Sequence, residues 1–318
     1  LLSRFKVVNM QHDHASTNRQ TPIVCPGHSR PLTEVLFSNE TPDGVFLMSG
    51  CHAKTPMLRR GDTGDWVGTF EGHKGAVWGV ALNEDAQIAA TASADFSARL
   101  WNAVSGKLVH EFPHKHVVKS VDFSKDSKHL VTGGHEGILR VFCVSSPTTE
   151  PKTIKISSEK STINKVRWGI KEDEVLSGSS DGFIRKWNVK ILSLSDEFKV
   201  EGSVMDMEVS QPKNIVTVAA GKKVTFIDAI SFKQIKQHTM PINFNNEGGA
   251  SLHVSGKRFI AGGSDLWVRI FDFESGDELA CLKGHHGPIR CLRYEKSGKT
   301  FASGSEDGII RIWIDEFD

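Results

Sequence analysis

Residues 72–101 read GHKGAVWGVALNEDAQIAATASADFSARLW. Within this stretch Asp95 lies 22 residues after His73, and Trp101 lies 28 residues after it. The same two spacings recur more than 200 residues later, in His285, Asp307 and Trp313. A histidine, an aspartate and a tryptophan that repeat at fixed distances indicate that one structural unit occurs more than once in the chain.

The position that holds Trp101 recurs along the chain at intervals of 40 to 45 residues. Its seven occupants are Arg59, Trp101, Phe142, Trp187, Ile227, Phe271 and Trp313. Between them, short apolar runs alternate with polar turns, and the turns Thr63-Gly64, Ser105-Gly106 and Ser275-Gly276 fall at matched places. This pace predicts four short strands in each unit. Seven such units resemble WD repeats, so the predicted fold is all-β, a seven-bladed WD-repeat β-propeller.

Seven blades account for nearly all of the 318 residues. The propeller is predicted to span residues 21–318, and residues 1–20, rich in His, Gln, Asn and Ser, are predicted to form a flexible arm. A hydrophobic content of 38% is ordinary for a globular domain, and no apolar run is long enough to cross a bilayer. A net charge of +1 gives no general attraction for nucleic acid. We therefore expect neither membrane insertion nor direct nucleic-acid binding.

The two ends of the propeller are predicted to pair with each other. Residues 314–318, which follow Trp313, are too few and too acidic to form a good outer strand for the last blade. Residues 22–25 stand before the first Gly-His pair, where other blades have their outer strands. We expect residues 22–25 to supply the missing strand, which removes an exposed sheet edge.

The repeated histidine, hydroxyl, aspartate and tryptophan are predicted to form a buried hydrogen-bonded network in two blades. The residues are His73, Thr91, Asp95 and Trp101 in blade 2, and His285, Ser303, Asp307 and Trp313 in blade 7. A Ser-His-Asp set also serves nucleophilic catalysis, but an active site has no reason to occur twice at one spacing. A buried aspartate needs hydrogen-bond donors to offset its desolvation, and these partners supply them. The networks are therefore interpreted as structural, with no catalytic residue.

Other charged and histidine-rich stretches do not predict a catalytic or metal site. His12 and His14, like His114 and His116, lie close together without the cysteines or carboxylates of a metal site. Neither a phosphate-binding loop nor a dinucleotide fingerprint occurs. A basic stretch near blade 4 is interpreted as a solvated face rather than an RNA contact; it comprises Lys152, Lys155, Lys160, Lys165 and Arg167. The sequence thus predicts a non-enzymatic protein with no metal and no cofactor.

The residue five positions after each repeat histidine is expected to point into one mouth of the central channel, the top mouth. The histidine positions are His28, His73, His114, Glu159 and His285, and Met205 aligns with Trp78 in blade 5. The candidate partner-binding residues are Thr33, Trp78, Lys119, Asn164, Met205 and Arg290. Tryptophan, methionine and arginine around one opening are typical of a protein-binding hot spot. A polar, glycine-rich insertion in blade 6, residues 243–249, is expected beside them.

The cysteines and the first residues indicate an intracellular protein. The five cysteines form no CxxC pair and are odd in number, which favours reduced thiols. Residues 1–10 carry Arg4 and Lys6 and lack the apolar core of a secretory signal.

Several departures from a generic repeat carry a more specific resemblance. They are Arg59 in a tryptophan position, residues 61–66 (GDTGDW), residues 75–79 (GAVWG), residues 114–116 (HKH), Gly221 in a degenerate blade 5, residues 250–253 (ASLH) and residues 304–308 (GSEDG). In these features the chain resembles the family of the serine-threonine kinase receptor-associated protein, also called unr-interacting protein. The resemblance covers residues 19–313, and His52-Ala53 departs from the aspartate-containing turn usual in the family.

The resemblance implies an adaptor that is monomeric within a larger complex in the cytoplasm and nucleus. Its implied partners are a Gemin subunit of the SMN complex, which assembles spliceosomal snRNPs for mRNA splicing, a cold-shock-domain RNA-binding protein, and the TGF-β receptor or an inhibitory Smad. The alternative is the WD-repeat subunit of the large translation initiation factor, which shares the Gly-His-x-Gly-Pro-Ile pattern found at residues 284–289. Arg59 and residues 61–66 disfavour this alternative.

Overall fold

The structure, a computed structural model, describes residues 20–156 and 161–317. All the strands in these residues belong to seven antiparallel sheets of four strands each. The sheets follow one another along the chain, and the first strand of each contacts the first strands of its two neighbours in a closed ring. The predicted seven-bladed β-propeller is confirmed. The predicted arm lies outside the described residues except for Gln20, whose side-chain amide donates to the Ile314 carbonyl oxygen over 2.6 Å.

Blades 1 to 4 each contain four consecutive strands, ordered from the channel outward. Blade 1 consists of β2 (Leu32–Phe37), β3 (Phe46–Cys51), β4 (Met57–Arg60) and β5 (Trp66–Thr69). Blade 2 consists of β6 (Val77–Leu82), β7 (Ile88–Ser93), β8 (Ser97–Asn102) and β9 (Leu108–Pro113). Blade 3 consists of β10 (Val118–Phe123), β11 (His129–Gly134), β12 (Ile138–Cys143) and β13 (Lys152–Lys155). Blade 4 consists of β14 (Ile163–Trp168), β15 (Glu174–Ser179), β16 (Phe183–Asn188) and β17 (Ser193–Lys199).

Blades 5 and 6 repeat this order, and blade 7 differs in its outer strand. Blade 5 consists of β18 (Val204–Ser210), β19 (Ile215–Ala220), β20 (Lys223–Asp228) and β21 (Gln234–Thr239), with a 3-10 turn at Gln211–Lys213. Blade 6 consists of β22 (Gly249–Leu252), β23 (Arg258–Gly262), β24 (Trp267–Asp272) and β25 (Glu278–Lys283). Blade 7 consists of β26 (Ile289–Tyr294), β27 (Thr300–Ser305), β28 (Ile310–Ile314) and β1 (Ile23–Cys25).

The outer strand of blade 7 therefore comes from the beginning of the propeller sequence. β1 runs antiparallel to β28, and the opposed pairs are Ile23 with Ile312, Val24 with Arg311 and Cys25 with Ile310. Gly64, in the β4–β5 turn, has a φ of 75°, and a Cβ at this position would lie 2.4 Å from the Cys25 Sγ. Only glycine fits this turn without displacing β1. The predicted closure by residues 22–25 is confirmed for Ile23–Cys25, whereas Pro22 lies outside the strand.

The hydrophobic core lies between neighbouring blades. Met48 and Leu58 of blade 1, for example, pack with Val77, Val80 and Trp101 of blade 2. Equivalent clusters fill the other six interfaces. Because each blade buries both faces, its inner strands are largely apolar and buried, whereas an outer strand such as β9 is mostly exposed.

Candidate functional site

A β-bulge in the first strand of six blades places one residue of each blade at the same end of the channel. In each of these strands the pairing with the second strand skips one residue. The skipped residues, hereafter the ring residues, are Thr33, Trp78, Lys119, Asn164, Met205 and Arg290. A bulge leaves the extra residue out of the ladder and re-aims its side chain. All six ring residues line one small cavity of about 70 Å³ at the top mouth.

Trp78 is held at the top mouth by two neighbours. The His52 ring meets it edge-on, with ring centroids 4.8 Å apart. From the other side, Lys119 Nζ lies 4.4 Å from the centroid of the Trp78 ring, a cation–π contact. Burial lowers the pKa of Lys119, and the nearby charge of Lys165 lowers it further. The indole is therefore part of a packed group that presents a partly exposed aromatic face.

Arg290 is held between two carboxylates. Its Nη2 lies 3.0 Å from Glu247 Oε2 and 3.1 Å from Glu306 Oε2. Glu247 belongs to the blade 6 insertion, and the backbone N–H of Gly248 donates to the Arg290 carbonyl oxygen over 3.3 Å. Blade 6 has no bulge in its first strand pair, and this insertion takes the corresponding place at the top mouth.

The remaining ring residues connect neighbouring blades. Thr33 Oγ1 donates to the Val77 carbonyl oxygen over 2.6 Å. Asn164 Nδ2 donates to the Val204 carbonyl oxygen over 3.0 Å, which joins blade 4 to blade 5. Met205 packs against the apolar cluster between blades 5 and 6. These three side chains give the top mouth a polar and thioether surface between the aromatic and the charged groups.

Below the ring residues, a network of buried ion pairs closes the channel. Glu34 Oε1 accepts a hydrogen bond from Lys165 Nζ over 3.0 Å and another from Arg167 Nη2. Asp206 accepts two from Arg293, each over 2.6 Å. Lys165 Nζ also lies 3.9 Å from Asp206 Oδ1, which links the two groups.

The pKa values of these acids follow from burial and from their partners. Burial alone would raise the pKa of Glu34, but the charges of Lys165, Arg167 and Arg293 hold it below its ordinary value. Burial likewise acts to raise the pKa of Asp206, but the charge and hydrogen bonds of Arg293, together with the charges of Lys165 and Arg167, lower it to about 2. Both acids are therefore ionised at neutral pH, so each of these contacts is a true ion pair.

The interpretation of Lys165 and Arg167 as part of a solvated face is wrong. Lys165 is 8% exposed and faces the channel. Both residues belong to β14, the innermost strand of blade 4. The apolar residues of this strand pack into the core between blades 3 and 4. Lys160 lies outside the described residues.

A second, larger cavity of about 510 Å³ opens below this network. Its lining on blades 1 and 2 is mixed, with the apolar Leu36 and Leu82 beside the polar Asn83 and Glu84. The charged lining residues nearest the network are Asp122, Arg167, Glu208 and Arg293. Burial raises the pKa of Asp122 to about 6 against the opposing charge of Arg167. Burial also raises the pKa of Glu208, against the charge of Arg293. We call this space the lower cavity.

In blade 2 the histidine network runs unbroken from the turn to the third strand. His73 Nδ1 lies 2.7 Å from Asp95 Oδ2, and His73 Nε2 lies 2.6 Å from Thr91 Oγ1. Trp101 Nε1 donates to the same hydroxyl oxygen over 2.9 Å. Asp95 also accepts from the backbone N–H of Lys74. Burial acts to raise the pKa of Asp95, but these hydrogen bonds hold it well below its ordinary value.

Blade 7 carries the same network with one addition. His285 bridges Asp307 at 3.1 Å and Ser303 at 2.8 Å, and Trp313 Nε1 donates to the Ser303 hydroxyl oxygen over 2.8 Å. Arg311 Nη1 lies 3.3 Å from Asp307 Oδ2. Burial lowers the pKa of His285 to about 4, so its ring is neutral at pH 7.

Other blades keep parts of this network. In blade 1, His28 Nε2 lies 2.8 Å from Ser49 Oγ, and Arg59 replaces the tryptophan, with its guanidinium bonded to the carbonyl oxygens of Gly64 and Pro26. In blade 4, Trp187 Nε1 donates to Ser177 Oγ over 2.8 Å. Glu159, which stands at the histidine position of that blade, lies outside the described residues.

Comparison with known proteins now decides the family. Residues 64–102, 106–143 and 276–313 match the family model described as WD domain, G-beta repeat. The serine-threonine kinase receptor-associated protein of Homo sapiens is 44% identical over 295 residues, which cover 93% of this chain and 83% of the relative. The protein of the same name from Dictyostelium discoideum is 44% identical over 293 residues, which cover 92% and 98%. The chain belongs to the serine-threonine kinase receptor-associated protein family.

The predicted resemblance to this family is thereby confirmed. The Eukaryotic translation initiation factor 3 subunit I of Drosophila sechellia is also similar, but only 25% identical over 320 residues, which cover 92% of this chain and 95% of the relative. A WD-repeat propeller in the serine-threonine kinase receptor-associated protein family is an adaptor, and propellers of this kind typically scaffold protein interactions.

Between residues 20 and 317, the described Asp, Glu, His and Cys side chains form no group of three that could hold a metal ion. The described part of the chain also contains no helix of the length and apolar character that a membrane span needs.

Residue counting selected the ring residues but missed what lies beneath them. It did not predict that Arg290 is neutralised, that Glu34 and Lys165 close the channel, or that the lower cavity exists. One signal was available: five inner strands carry charged residues where a buried strand would be apolar, as in Glu34 of β2 and Asp206 of β18. Buried charges of both signs in a ring of inner strands indicate that they pair across the channel.

Proposed function

We propose that this chain is a non-enzymatic adaptor that binds its protein partners at the top mouth through the ring residues. The observation that carries the proposal is the gathering of Trp78, Lys119, Met205 and Arg290 around one opening by bulges in separate blades. Tryptophan and arginine are the residues that most often dominate binding energy at protein interfaces.

The size of the top mouth supports a protein partner. A pocket for a small molecule usually measures about 300–1,000 Å³, whereas the cavity here is about 70 Å³. The ion pairs below it leave little room for a ligand to enter further. The top mouth therefore suits a segment that lies across it with one or two side chains inserted.

The relatives' name and the family resemblance suggest which complexes to test. We propose that the chain associates with a receptor serine-threonine kinase or with a Smad in TGF-β signalling, and that it joins the SMN complex through a Gemin subunit in snRNP assembly. A cold-shock-domain RNA-binding protein is a further partner suggested by the family. We propose accordingly that the chain acts in the cytoplasm and the nucleus, as a monomer inside larger assemblies.

The proposal is tested by tagging the chain, expressing it in cells and identifying captured proteins by mass spectrometry. Trp78→Ala removes the largest apolar side chain of the ring, and we expect it to weaken partner capture by about 2 kcal/mol in binding free energy if Trp78 is a hot spot. Trp66→Ala is the matched control, because Trp66 is 61% exposed on the outer strand β5, away from the channel. Circular dichroism checks that both variants fold.

Full retention of every partner by folded Trp78→Ala protein would place binding elsewhere, for example on a blade edge. The same capture separates the second candidate function. Initiation-factor subunits in place of Gemin and SMN proteins would favour the translation initiation factor, whose subunit I is the more distant relative at 25% identity.

A further inference from the structure

The top mouth has two sides of opposite character. Blades 1 to 3 carry two groups of aromatic and basic side chains in contact with one another within each group, hereafter together the aromatic stripe. The stripe consists of His52, Trp78, Lys119, His135, His116 and Phe96. On blades 6 and 7, the mouth is formed by Arg290 and its two carboxylate partners.

The second group of the aromatic stripe is an exposed platform of rings. His116 and His135 stack in nearly parallel planes with centroids 5.0 Å apart. Phe96 lies with its centroid 5.4 Å from that of His116, and it is 45% exposed. Burial lowers the pKa of His135, and the charges of Lys119 and His116 lower it further.

Lys119 is the one ring cation without a carboxylate partner. Among the described residues, no Asp or Glu oxygen lies within 4 Å of its Nζ, whereas Arg290 has two such partners. Lys165 is the nearby charge that most affects Lys119, and it has the same sign. A carboxylate placed beside Lys119 would therefore relieve repulsion and gain a charge-assisted contact.

The opposite side carries an excess of negative charge. Glu247 and Glu306 share one guanidinium, and Glu306 remains 46% exposed at its side chain. Burial raises the pKa of Glu247, and the charge of Glu306 adds to that effect. A second cation near these two carboxylates would be stabilised.

We propose that the top mouth recognises an extended protein segment whose acidic, aromatic and basic residues stand in a fixed arrangement. An acidic residue of the segment lies against Lys119, an aromatic residue lies on the platform of Phe96, His116 and His135, and a basic residue lies near Glu306. The proposal rests on the proposed function, because it assumes that partners bind at the top mouth, and it adds the chemistry and the direction of what binds there.

The acidic side of the mouth favours a protein over single-stranded RNA. RNA would find rings for stacking and one lysine for a phosphate, but its next phosphates would face Glu247 and Glu306. A peptide carries both signs of charge and satisfies both sides. The net charge of the chain is only +1, so it does not attract a polyanion such as RNA over long distances.

The arrangement of charges is tested with two short fluorescent peptides of equal length and equal aromatic content. Fluorescence anisotropy measures the affinity of each peptide for the full chain. The first carries aspartates among its aromatic residues and lysines at one end; the second exchanges every aspartate with lysine and every lysine with aspartate. An oligouridine RNA of similar length is the third probe. We expect the first peptide to bind about tenfold tighter than the second, and Lys119→Glu to reverse this preference.

Lys125→Glu is the matched control. Lys125 is exposed beside the lower cavity, so this substitution makes the same charge change away from the top mouth. Equal affinity for the two peptides, no binding of either, a preference unmoved by Lys119→Glu, or tighter binding of oligouridine would each overturn the proposal.

Capture of natural partners by the two variants distinguishes failure of this inference from failure of the proposed function. If Trp78→Ala loses the captured partners while Lys119→Glu retains all of them, partners bind at the top mouth but not with this arrangement of charges. If both variants retain all of them, binding at the top mouth is itself wrong.

Discussion

Glu34 of blade 1 and Lys165 of blade 4 form an ion pair inside the channel, with Oε1 and Nζ 3.0 Å apart although 131 residues separate them in sequence. The two blades are not neighbours in the ring. Together with the Asp206–Arg293 pair, this contact divides the channel into the top mouth and the lower cavity. Buried charges therefore block the channel between the two cavities.

We expect Glu34→Ala to lower the free energy of unfolding by about 3–5 kcal/mol, because it leaves Lys165 and Arg167 buried without their common partner. Denaturant unfolding measures the change. Glu71→Ala, at an exposed position, should have little effect. Adding Lys165→Met to Glu34→Ala should restore part of the loss, since it removes one of the two cations that lose Glu34 as a partner. Equal midpoints for Glu34→Ala and Glu71→Ala would contradict the role of the ion pair.

The histidine networks predict a second stability difference. Asp95→Ala and Asp307→Ala should each destabilise the fold by roughly 1–3 kcal/mol, because each removes the carboxylate partner of a buried histidine Nδ1 and the acceptor of a backbone N–H. Asp62→Ala is the control: Asp62 is exposed in a turn and 3.5 Å from Arg60. Thermal unfolding of the three variants compares them, and a loss as large for Asp62→Ala would rule out the structural interpretation of the networks.

The raised pKa of Asp122 predicts that the stability of the fold depends on pH. Its pKa is about 6 in the folded protein against 3.8 ordinarily, so the folded state takes up a proton that the unfolded state does not hold between these values. This contribution to stability is complete below about pH 4 and is lost as the pH rises through 6. Asp122→Asn should therefore stabilise the protein at pH 7 by about 1–2 kcal/mol and by much less at pH 4. Asp62→Asn should show no such dependence, and a pH-independent effect of Asp122→Asn would show that Asp122 does not titrate in this way.

Ring closure predicts the effect of shortening the chain. Removal of residues 1–25 deletes β1 and leaves one edge of β28 unpaired, so we expect a loss on the order of 2–4 kcal/mol from the missing backbone hydrogen bonds and the buried Cys25. Removal of residues 1–19 keeps β1 and is the control. The two truncated proteins are compared by thermal unfolding; a similar melting temperature for both would mean that β1 contributes little.

Most of the fold could be predicted because its decisive residues repeat. His73, Asp95 and Trp101 mark a unit, and the same spacing at His285 fixes the register of the last one. The position of β1 followed from the shortage of strand residues after Trp313. The ring residues could be counted because a bulge stands at the same place in six blades, which makes the distance from the histidine constant.

The pairing of charges could not be predicted in this way. Glu34 and Lys165 come from different units, and no local spacing connects them. The same holds for Arg290, because Glu247 comes from an insertion that only blade 6 contains. Lys165 and Arg167 were misinterpreted because a lysine-rich stretch normally indicates solvent, and only the closed ring shows that β14 lines the channel.

The pairing of β1 with β28 also sets an order on events during synthesis. Ile23 leaves the ribosome 289 residues before its partner Ile312, which at about 5–20 residues per second corresponds to a delay of roughly 15–60 seconds. Blades 1 to 6 have all their strands before that moment, whereas blade 7 cannot be completed earlier. A chain that is released prematurely therefore exposes unpaired strand edges at both sides of an open ring. Such edges invite aggregation, and pairing of β1 with β28 removes them only once the last blade has been synthesised.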